Sequence, residues 1–425
     1  MDEVNVVTEP AKPGGGGTVN RLQIFCMALL ALGAGFETVR YLIAMPSSMA
    51  GHACAALLCV FLCAALMLRL KRMRRVLAAC GLFLPSFAGG YLLACALYLG
   101  APGDVHVPAP AKPVPSSSGH TAVIYYTHGE PRTYEGAFEA WNHAIHEMDE
   151  SGVPFVPWPF RPFFFSKVRN EYFEAGGSFH NLIHMRTMQR LQAAYREKHD
   201  PSARFYIAYS DDAPGPDEAA ARAINDGAAR ITVLNVWMTE SDHLEAGVAA
   251  IRALRPEQYG VELCVTDALW RSRRLMRMYV DRALAAAADT PRPDVGILLV
   301  AHGQPASWDA LFEKQPAQED AFRLATKQLL VEKGFREGSI VLAYMEFKEP
   351  GIAASVRRLI ETGAKKILVA PVNISAEGIH SEHEIPSMVE GAGAPSSVEI
   401  VHLGAWNDDP LLLDELLERL ESCGG

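Results

Sequence analysis

The stretch Val295–Pro305, Val-Gly-Ile-Leu-Leu-Val-Ala-His-Gly-Gln-Pro, decides the fold of this chain. Its apolar run to Ala301 predicts a buried strand, which ends at a histidine and a turn-forming glycine. The same pattern stands at Ala122–Pro131, Ala-Val-Ile-Tyr-Tyr-Thr-His-Gly-Glu-Pro, so the chain is predicted to contain an internal duplication. A lone histidine after a strand most often caps a loop. Its repetition favours a functional role, because open α/β sheets bind ligands at the carboxyl ends of their strands.

Apolar strand patterns alternate with helical patterns around both copies of this stretch. The alternation predicts parallel sheets covered by helices on both faces. We therefore expect an α/β fold of two doubly wound parallel-sheet lobes related by duplication, residues 120–290 and 291–425, which face each other across a cleft. An aromatic-rich loop is predicted at 153–165. The predicted strands are 121–127, 203–209, 230–236, 261–266, 295–301, 339–344, 366–372 and 397–403.

An apolar segment rich in Ala, Leu, Cys, Gly and Phe occupies residues 21–100 and predicts an all-α membrane segment. Three stretches have the ~20 apolar residues that a bilayer requires, at about 22–44, 50–70 and 76–99. The first carries Glu37 and Arg40, one helical turn apart, which pair with each other or leave this stretch at the membrane interface. Two or three transmembrane helices are therefore expected.

The regions that flank the apolar segment indicate its orientation. Residues 1–20 are predicted to be a disordered tail, and the Pro-rich residues 101–119 a semi-extended linker. The basic residues between the second and third stretches favour the cytoplasmic side. We therefore expect a protein of the cell (inner) membrane whose soluble part is extracytoplasmic. The basic residues are Arg69, Lys71, Arg72, Arg74 and Arg75.

Charge and cysteine content exclude some functions and leave others open. The net charge of −10 argues against nucleic-acid binding through phosphate contacts. Six of the eight cysteines lie in the apolar segment, where they behave as small apolar residues. Only Cys264 and Cys423 remain, too few to settle the redox compartment.

Ligand-type residues follow three strands of the second lobe. His302 follows the first strand and Glu346 ends the second, while the loop after the third holds His380 and Glu384, with Glu377 and His383 beside them. The carboxyl ends of parallel strands meet at one edge, so these residues are predicted to be neighbours. Two imidazoles and a carboxylate suit Fe²⁺, Co²⁺, Ni²⁺ or Zn²⁺, and three ligands with an open position are typical of catalysis. The alternative is a set of surface histidines on a polar loop.

The second lobe resembles the class II tetrapyrrole chelatases, the sirohydrochlorin cobaltochelatases and their nickel- and iron-inserting relatives. The resemblance rests on His302-Gly-x-Pro, on Ala343-Tyr-Met-Glu346-x-x-x-Pro350 and on the loop Pro371–Pro386. It implies that His302, Glu346 and His380 are the catalytic and metal-binding residues, with Glu384 as a further metal ligand where the family usually has Asp. His302 would also accept protons from the tetrapyrrole.

The first lobe resembles protoporphyrin ferrochelatase in Gly176-Gly-Ser, Met188-Gln-Arg-Leu and the stretch 226–234. That enzyme has glutamate where His380 stands, so the second-lobe loop favours the sirohydrochlorin type. His128, with His243 in the loop 239–245, is a possible second metal site. The second lobe is expected to be the catalytic one.

Substrate carboxylates call for basic partners. Arg161 lies in the aromatic-rich loop, and Arg271 and Arg274 share a helical face beside Trp270. These arginines are candidate substrate-binding residues, although a solvated helix face is the more common role for such a pattern. The aromatic-rich loop is compatible with a lid, a core plug or a membrane-dipping edge.

The sequence therefore predicts a membrane-anchored chelatase that inserts Co²⁺ or Fe²⁺, or Ni²⁺, into a sirohydrochlorin-like or porphyrin substrate. The divalent metal is a substrate, and no organic cofactor is expected. A non-enzymatic metal or haem-binding carrier or sensor on the same fold is the alternative, and metal removal is a third reading. The metal, the tetrapyrrole and the oligomeric state stay open.

Overall fold

The computed structural model describes residues 16–69, 73–100, 109–110, 119–150, 152 and 156–424. Most of the predicted tail, nearly all of the predicted linker, and Lys71 and Arg72 of the basic run lie outside the described residues. The chain divides into two compact units. One comprises residues 1–102 with 154–169, and the other comprises residues 103–153 with 170–425.

The first unit contains three helices, α1 (Gly16–Ile43), α2 (Pro46–Leu68) and α3 (Met73–Tyr98). Each includes a stretch long and apolar enough to cross a membrane, at Arg21–Ile43, Pro46–Leu68 and Cys80–Tyr98. Glu37 and Arg40 pair at 3.2 Å, and His52 Nδ1 lies 2.7 Å from the other oxygen of Glu37. Glu37 and Arg40 of the first stretch therefore have partners within the unit.

The second unit begins with the first lobe, a four-stranded parallel sheet in the order β2-β1-β3-β4. Its strands are β1 (His120–Thr127), β2 (Arg204–Tyr209), β3 (Ala228–Asn235) and β4 (Glu262–Val265). The helices in this part of the chain are α4 (Tyr134–Glu150), α5 (Arg161–Ala175), α6 (His180–Lys198), α7 (Pro216–Asn225), α8 (Asp242–Ala253) and α9 (Arg273–Ala287).

The second lobe repeats this topology, with a parallel sheet in the order β6-β5-β7-β8. The predicted fold class, two doubly wound lobes related by duplication, is thereby confirmed. The strands are β5 (Val295–Ala301), β6 (Ile340–Tyr344), β7 (Lys366–Pro371) and β8 (Glu399–His402). The helices are α10 (Lys314–Glu332), α11 (Ile352–Glu361), α12 (Ile385–Glu390) and α13 (Pro410–Gly424).

The aromatic-rich stretch was predicted as a loop over 153–165, and this prediction is wrong in its second half. A short 3₁₀ turn covers Trp158–Phe160, and α5 begins at Arg161. Pro162 stands in the first turn of α5, where a missing N–H costs no hydrogen bond. Within the first unit, Tyr91 of α3 donates a hydrogen bond to the carbonyl oxygen of Pro159 at 2.7 Å. Arg169 donates to two of the last carbonyl oxygens of α1, at 2.8 and 2.9 Å, and so caps that helix.

A single hydrophobic core joins the two lobes. Alternate residues of a strand point to opposite faces, so Val123 and Tyr125 of β1 face this shared core while Ile124 faces the outer helices. In β5, Ile297 and Leu299 face the same shared core. The side chains between the sheets come from α6, α9, α10 and α13. These four helices therefore form a central layer between the two sheets.

Two further connections join the lobes. Arg282 of α9 donates to the carbonyl oxygens of Leu403 (3.1 Å) and Ala405 (2.6 Å) and pairs with Asp409 at 3.0 Å. Cys264 on β4 and Cys423 on α13 form a disulfide with their Cα atoms 6.0 Å apart. The sequence left these two cysteines unassigned, and the structure pairs them.

Candidate metal centre

The carboxyl edge of the second sheet brings His302 and Glu346 together. Ala301 pairs with Tyr344 in the parallel ladder. His302 therefore lies one residue past the last pair of β5, and Glu346 two residues past that of β6. Gly303 between them has φ +84°, and a Cβ there would lie 2.2 Å from the carbonyl oxygen of Glu346. Only glycine fits this turn, so the His-Gly pair is a requirement of the local backbone.

His380 reaches the same edge from the loop after β7. It begins a π-helical turn, His380–Glu384, that runs directly into α12. Such wide turns are rare and often occur at functional sites. The rings of His302 and His380 have centroids 5.4 Å apart at 74°. The structure therefore places together the three residues that the motif predicted.

Hydrogen bonds fix which nitrogen of each ring faces the cleft. His302 Nδ1 lies 2.8 Å from the carbonyl oxygen of Gly303, which only accepts, so Nδ1 carries the proton. His380 Nδ1 is held by a short contact with the carboxylate of Glu384, whose side chain is 8% exposed. In both rings Nε2 is left to bind a metal. This is the outer-shell arrangement common to metal-ligating histidines.

The two histidines titrate in opposite directions. Burial and the neighbouring His380 lower the pKa of His302. Burial alone would lower the pKa of His380 as well, but the hydrogen bond to Glu384 and the charges of Glu384, Glu130 and Glu346 raise it to about 9. At neutral pH His302 is therefore a free base, whereas His380 is protonated.

The donor set suits a borderline divalent cation, with two imidazoles and a carboxylate. Within the described part of the chain, no three His, Cys, Asp or Glu side chains already stand in a metal-binding arrangement. The three residues therefore need to close around an ion.

The other charged residues of this loop have partners of their own. Glu377 exchanges two hydrogen bonds with Asn407, at 2.7 and 2.9 Å. His383 Nε2 lies 3.3 Å from Glu174. Glu384 contacts the ring of His380, so its position is that of an orienting partner to this ligand.

The first lobe presents the same positions. Thr127 pairs with Tyr209 in the ladder, so His128 and Asp211 occupy the register of His302 and Glu346. His128 Nε2 lies 3.2 Å from one oxygen of Asp211, and His243 Nδ1 lies 3.9 Å from the other. His128 and His243, the predicted second pair, are thus brought together around a carboxylate that the sequence analysis missed. Its signal was present, because Tyr209-Ser-Asp and Tyr344-Met-Glu both precede a Pro-Gly pair.

Three further residues at this edge escaped sequence reasoning. His180 and His184 stand one turn apart on α6 and are buried, with exposed fractions of 4% and 1%. His184 Nε2 lies 3.0 Å from the hydroxyl of Ser375 in the second-lobe loop. Glu130 accepts a hydrogen bond from the backbone N–H of Ile379 at 2.8 Å. First-lobe side chains therefore support the loop that carries His380, and the i, i+4 histidine pair was the available signal.

The predicted substrate arginines have other contacts. Arg161 is buried in the unit that contains the apolar helices, with Nε 3.3 Å from the carbonyl oxygen of Val156. Arg274 pairs with Glu415 and Glu418 on α13. Arg271 stacks on Trp270 at 4.2 Å. Arg274 thus serves lobe packing in this structure, and substrate binding by Arg271 stays a prediction.

Comparisons with known proteins agree with the second-lobe motif. Residues 296–423 match the CbiX family model. The sirohydrochlorin cobaltochelatase of Methanocaldococcus jannaschii is 44% identical over 50 residues, 12% of this chain and 34% of that protein. The same enzyme of Methanococcus aeolicus is 29% identical over 105 residues, 19% of this chain and 73% of that protein. The first two curated relatives are thus matched over about a third of their length.

Among solved structures, SirB from Bacillus subtilis with Fe³⁺ aligns with a TM-score of 0.45 at 11% identity, over 71% of this chain and 95% of that one. The family-model match covers the second lobe, where the motif and the histidine–glutamate site lie. The resemblance to the class II tetrapyrrole chelatases is therefore confirmed. The particular relatives that the chain is similar to are sirohydrochlorin cobaltochelatases.

Proposed function

We propose that this protein is a chelatase that inserts a divalent metal ion into a sirohydrochlorin-like tetrapyrrole. The observation that carries the proposal is the orientation of His302 and His380, each with Nδ1 hydrogen-bonded and Nε2 available, beside Glu346. The relatives that share this motif are named as sirohydrochlorin cobaltochelatases, which supports Co²⁺ as the first ion to test. Fe²⁺ and a porphyrin substrate are the alternatives.

Metal insertion requires the site to deliver a cation and to remove two pyrrole N–H protons. His302 is neutral at neutral pH because its pKa is lowered, so it can accept a proton. Glu346 and His380 hold the incoming metal, and Glu384 orients His380. The exchange is balanced: the proton of His380 passes to water when the metal binds, and the two pyrrole protons pass in turn to His302 and then to water while the metal forms bonds to the ring nitrogens.

The test uses the full chain in detergent with sirohydrochlorin and Co²⁺, following the absorbance change of insertion. We expect turnover above the spontaneous rate that is lost in His302→Ala and in His380→Ala. His199→Gln, at the C-terminal end of α6, is the matched control. Undiminished insertion in both alanine variants would contradict the proposal. Tight binding of the tetrapyrrole without turnover would favour a carrier or sensor.

We further propose that α1–α3 anchor the chain in the cell membrane and that both lobes lie outside the cytoplasm. The length and apolar character of the helices support the anchor. The basic residues between α2 and α3 support the orientation, and the pair Cys264–Cys423 suits an oxidising compartment. Protease added to intact spheroplasts that express the protein should degrade the lobes. Protection until the cells are lysed would overturn the orientation.

A further inference from the structure

The first lobe carries a second set of metal-ligand residues outside the centre described above. His128, Asp211 and His243 follow β1, β2 and β3 in the way that His302, Glu346 and His380 follow β5, β6 and β7. The correspondence is one of register, since Thr127–Tyr209 and Ala301–Tyr344 are the last paired residues of matching strands. The carboxyl edge of each sheet thus presents two imidazoles and one carboxylate.

The distances at the first-lobe set fit a shared ion. In a tetrahedral site with bonds of about 2.1 Å, two ligand atoms lie about 3.4 Å apart. His128 Nε2 and His243 Nδ1 lie 3.2 and 3.9 Å from the two oxygens of Asp211. The carboxylate therefore lies between the two imidazoles, and the three side chains, like those of the second lobe, have to close further to share an ion.

Neighbouring side chains hold two of the three ligands, His243 and Asp211, in place. Trp237 stacks on His243 with ring centroids 5.9 Å apart at 15°. Tyr126 donates a hydrogen bond to the carbonyl oxygen of His243 at 2.6 Å, and the hydroxyl of Ser210 contacts Asp211. The carboxylate of Asp211 is 16% exposed. This is a supported set of ligands, unlike a group of mobile surface side chains.

The set is also accessible from solvent. The side chains of His128 and His243 are 40% and 38% exposed, so an ion can reach them. We propose that His128, Asp211 and His243 form a second binding site for a borderline divalent cation such as Co²⁺, Ni²⁺, Zn²⁺ or Fe²⁺. The full chain then binds two ions, one on each lobe, in the absence of any tetrapyrrole.

The experiment counts Co²⁺ bound to the full chain in detergent by equilibrium dialysis, with cobalt absorption bands recorded in parallel. The wild-type protein should bind two ions. The double variant Asp211→Asn/His243→Ala and the double variant His302→Ala/His380→Ala should each bind one, with different absorption spectra. Combining the four substitutions should abolish specific binding.

Asp212→Asn is the matched control, because this neighbouring carboxylate accepts a hydrogen bond from Asn181 at 2.7 Å. It should keep two ions. One ion in the wild type, two in the first-lobe double variant, or loss of an ion in Asp212→Asn would each overturn the proposal. Circular dichroism melting of every variant identifies misfolding. The number of bound ions is measured without turnover. A protein that binds two ions but inserts no metal would therefore refute the proposed function and still support this second site.

Discussion

The two lobes have the same strand order and corresponding ligand positions, yet they differ at the residue four positions after the last histidine of each set. Four residues after His380 stands Glu384, whose carboxylate contacts Nδ1 of the His380 ring. Four residues after His243 stands Gly247, where a Cβ would lie 2.3 Å from the hydroxyl of Tyr126. The strand ends therefore determine where ligands stand. The following helix determines how strongly a histidine holds its proton.

The pKa values express this difference. Burial, with the charges of His180 and His243, lowers the pKa of His128 to about 4 despite the nearby Asp211. Glu384 is chiefly responsible for raising the pKa of His380 to about 9. The predictions below test this difference between the histidines of the two lobes.

The largest expected effect comes from removing the proton acceptor of the second lobe. His302→Ala should lower the rate of metal insertion by about 100- to 10,000-fold, the usual contribution of a general base. His128→Ala should lower it far less, because we place catalysis on the second lobe. Insertion assays on both variants measure the ratio. A larger loss of insertion rate in His128→Ala than in His302→Ala would place catalysis on the first lobe.

The disulfide tests whether the lobes depend on each other for stability. Cys423→Ser should lower the free energy of unfolding by roughly 2–5 kcal/mol, because the bridge closes a long loop. The rate of insertion should be unchanged, since Cys264 and Cys423 lie on β4 and α13 rather than at the ligand edges. Thermal melts in detergent, with and without reductant, measure the effect. A reductant-insensitive melting temperature in the wild type would contradict this prediction.

Removing the orienting carboxylate should bring the second lobe closer to the first. Glu384→Gln should weaken Co²⁺ binding at the second-lobe site by about 10- to 100-fold, as is usual for an outer-shell partner. Glu390→Gln, exposed at the end of α12, is the control. Dialysis against Co²⁺ in variants that lack the first-lobe ligands isolates the effect. Equal affinity in both glutamine variants would show that Glu384 does not orient His380.

The smallest effect is a difference in pH dependence. A proton on His380 competes with the metal, so affinity at the second lobe should rise about tenfold per pH unit up to about pH 9 and then level off. At the first lobe His128 has already lost its proton above about pH 4. Its contribution should therefore be flat from pH 6 to 9. Co²⁺ titrations of the two one-site variants at several pH values compare how affinity depends on pH at each lobe. Equal slopes for the two sites would contradict the prediction.

Much of this fold could be predicted from the sequence because parallel strands that are buried on both faces appear as continuous apolar runs. The eight strands lie where these runs predict, and His302, Glu346 and His380 follow from strand ends and a specific motif. The duplication also predicted the proximity of His128 and His243. Asp211 was missed because its carboxylate follows β2 without the rest of the family motif.

Other features depend on contacts between distant parts of the chain. The pairing of Cys264 with Cys423 spans 159 residues, and no local pattern specifies it. The buried position of His180 and His184 depends on the second-lobe loop that packs on α6. The start of α5 inside the aromatic-rich stretch depends on contacts of this segment with other residues of the first unit, such as the hydrogen bond from Tyr91 to Pro159. Sequence periodicity does not predict such contacts.

The central layer of α6, α9, α10 and α13 has one more consequence. Because these helices are interior to both sheets, the lobes cannot swing apart like jaws without exposing their common core to water. The separation of the two sheets is thus set by the helix layer that lies between them. Any change of access to these edges therefore has to come from the loops that follow the strands.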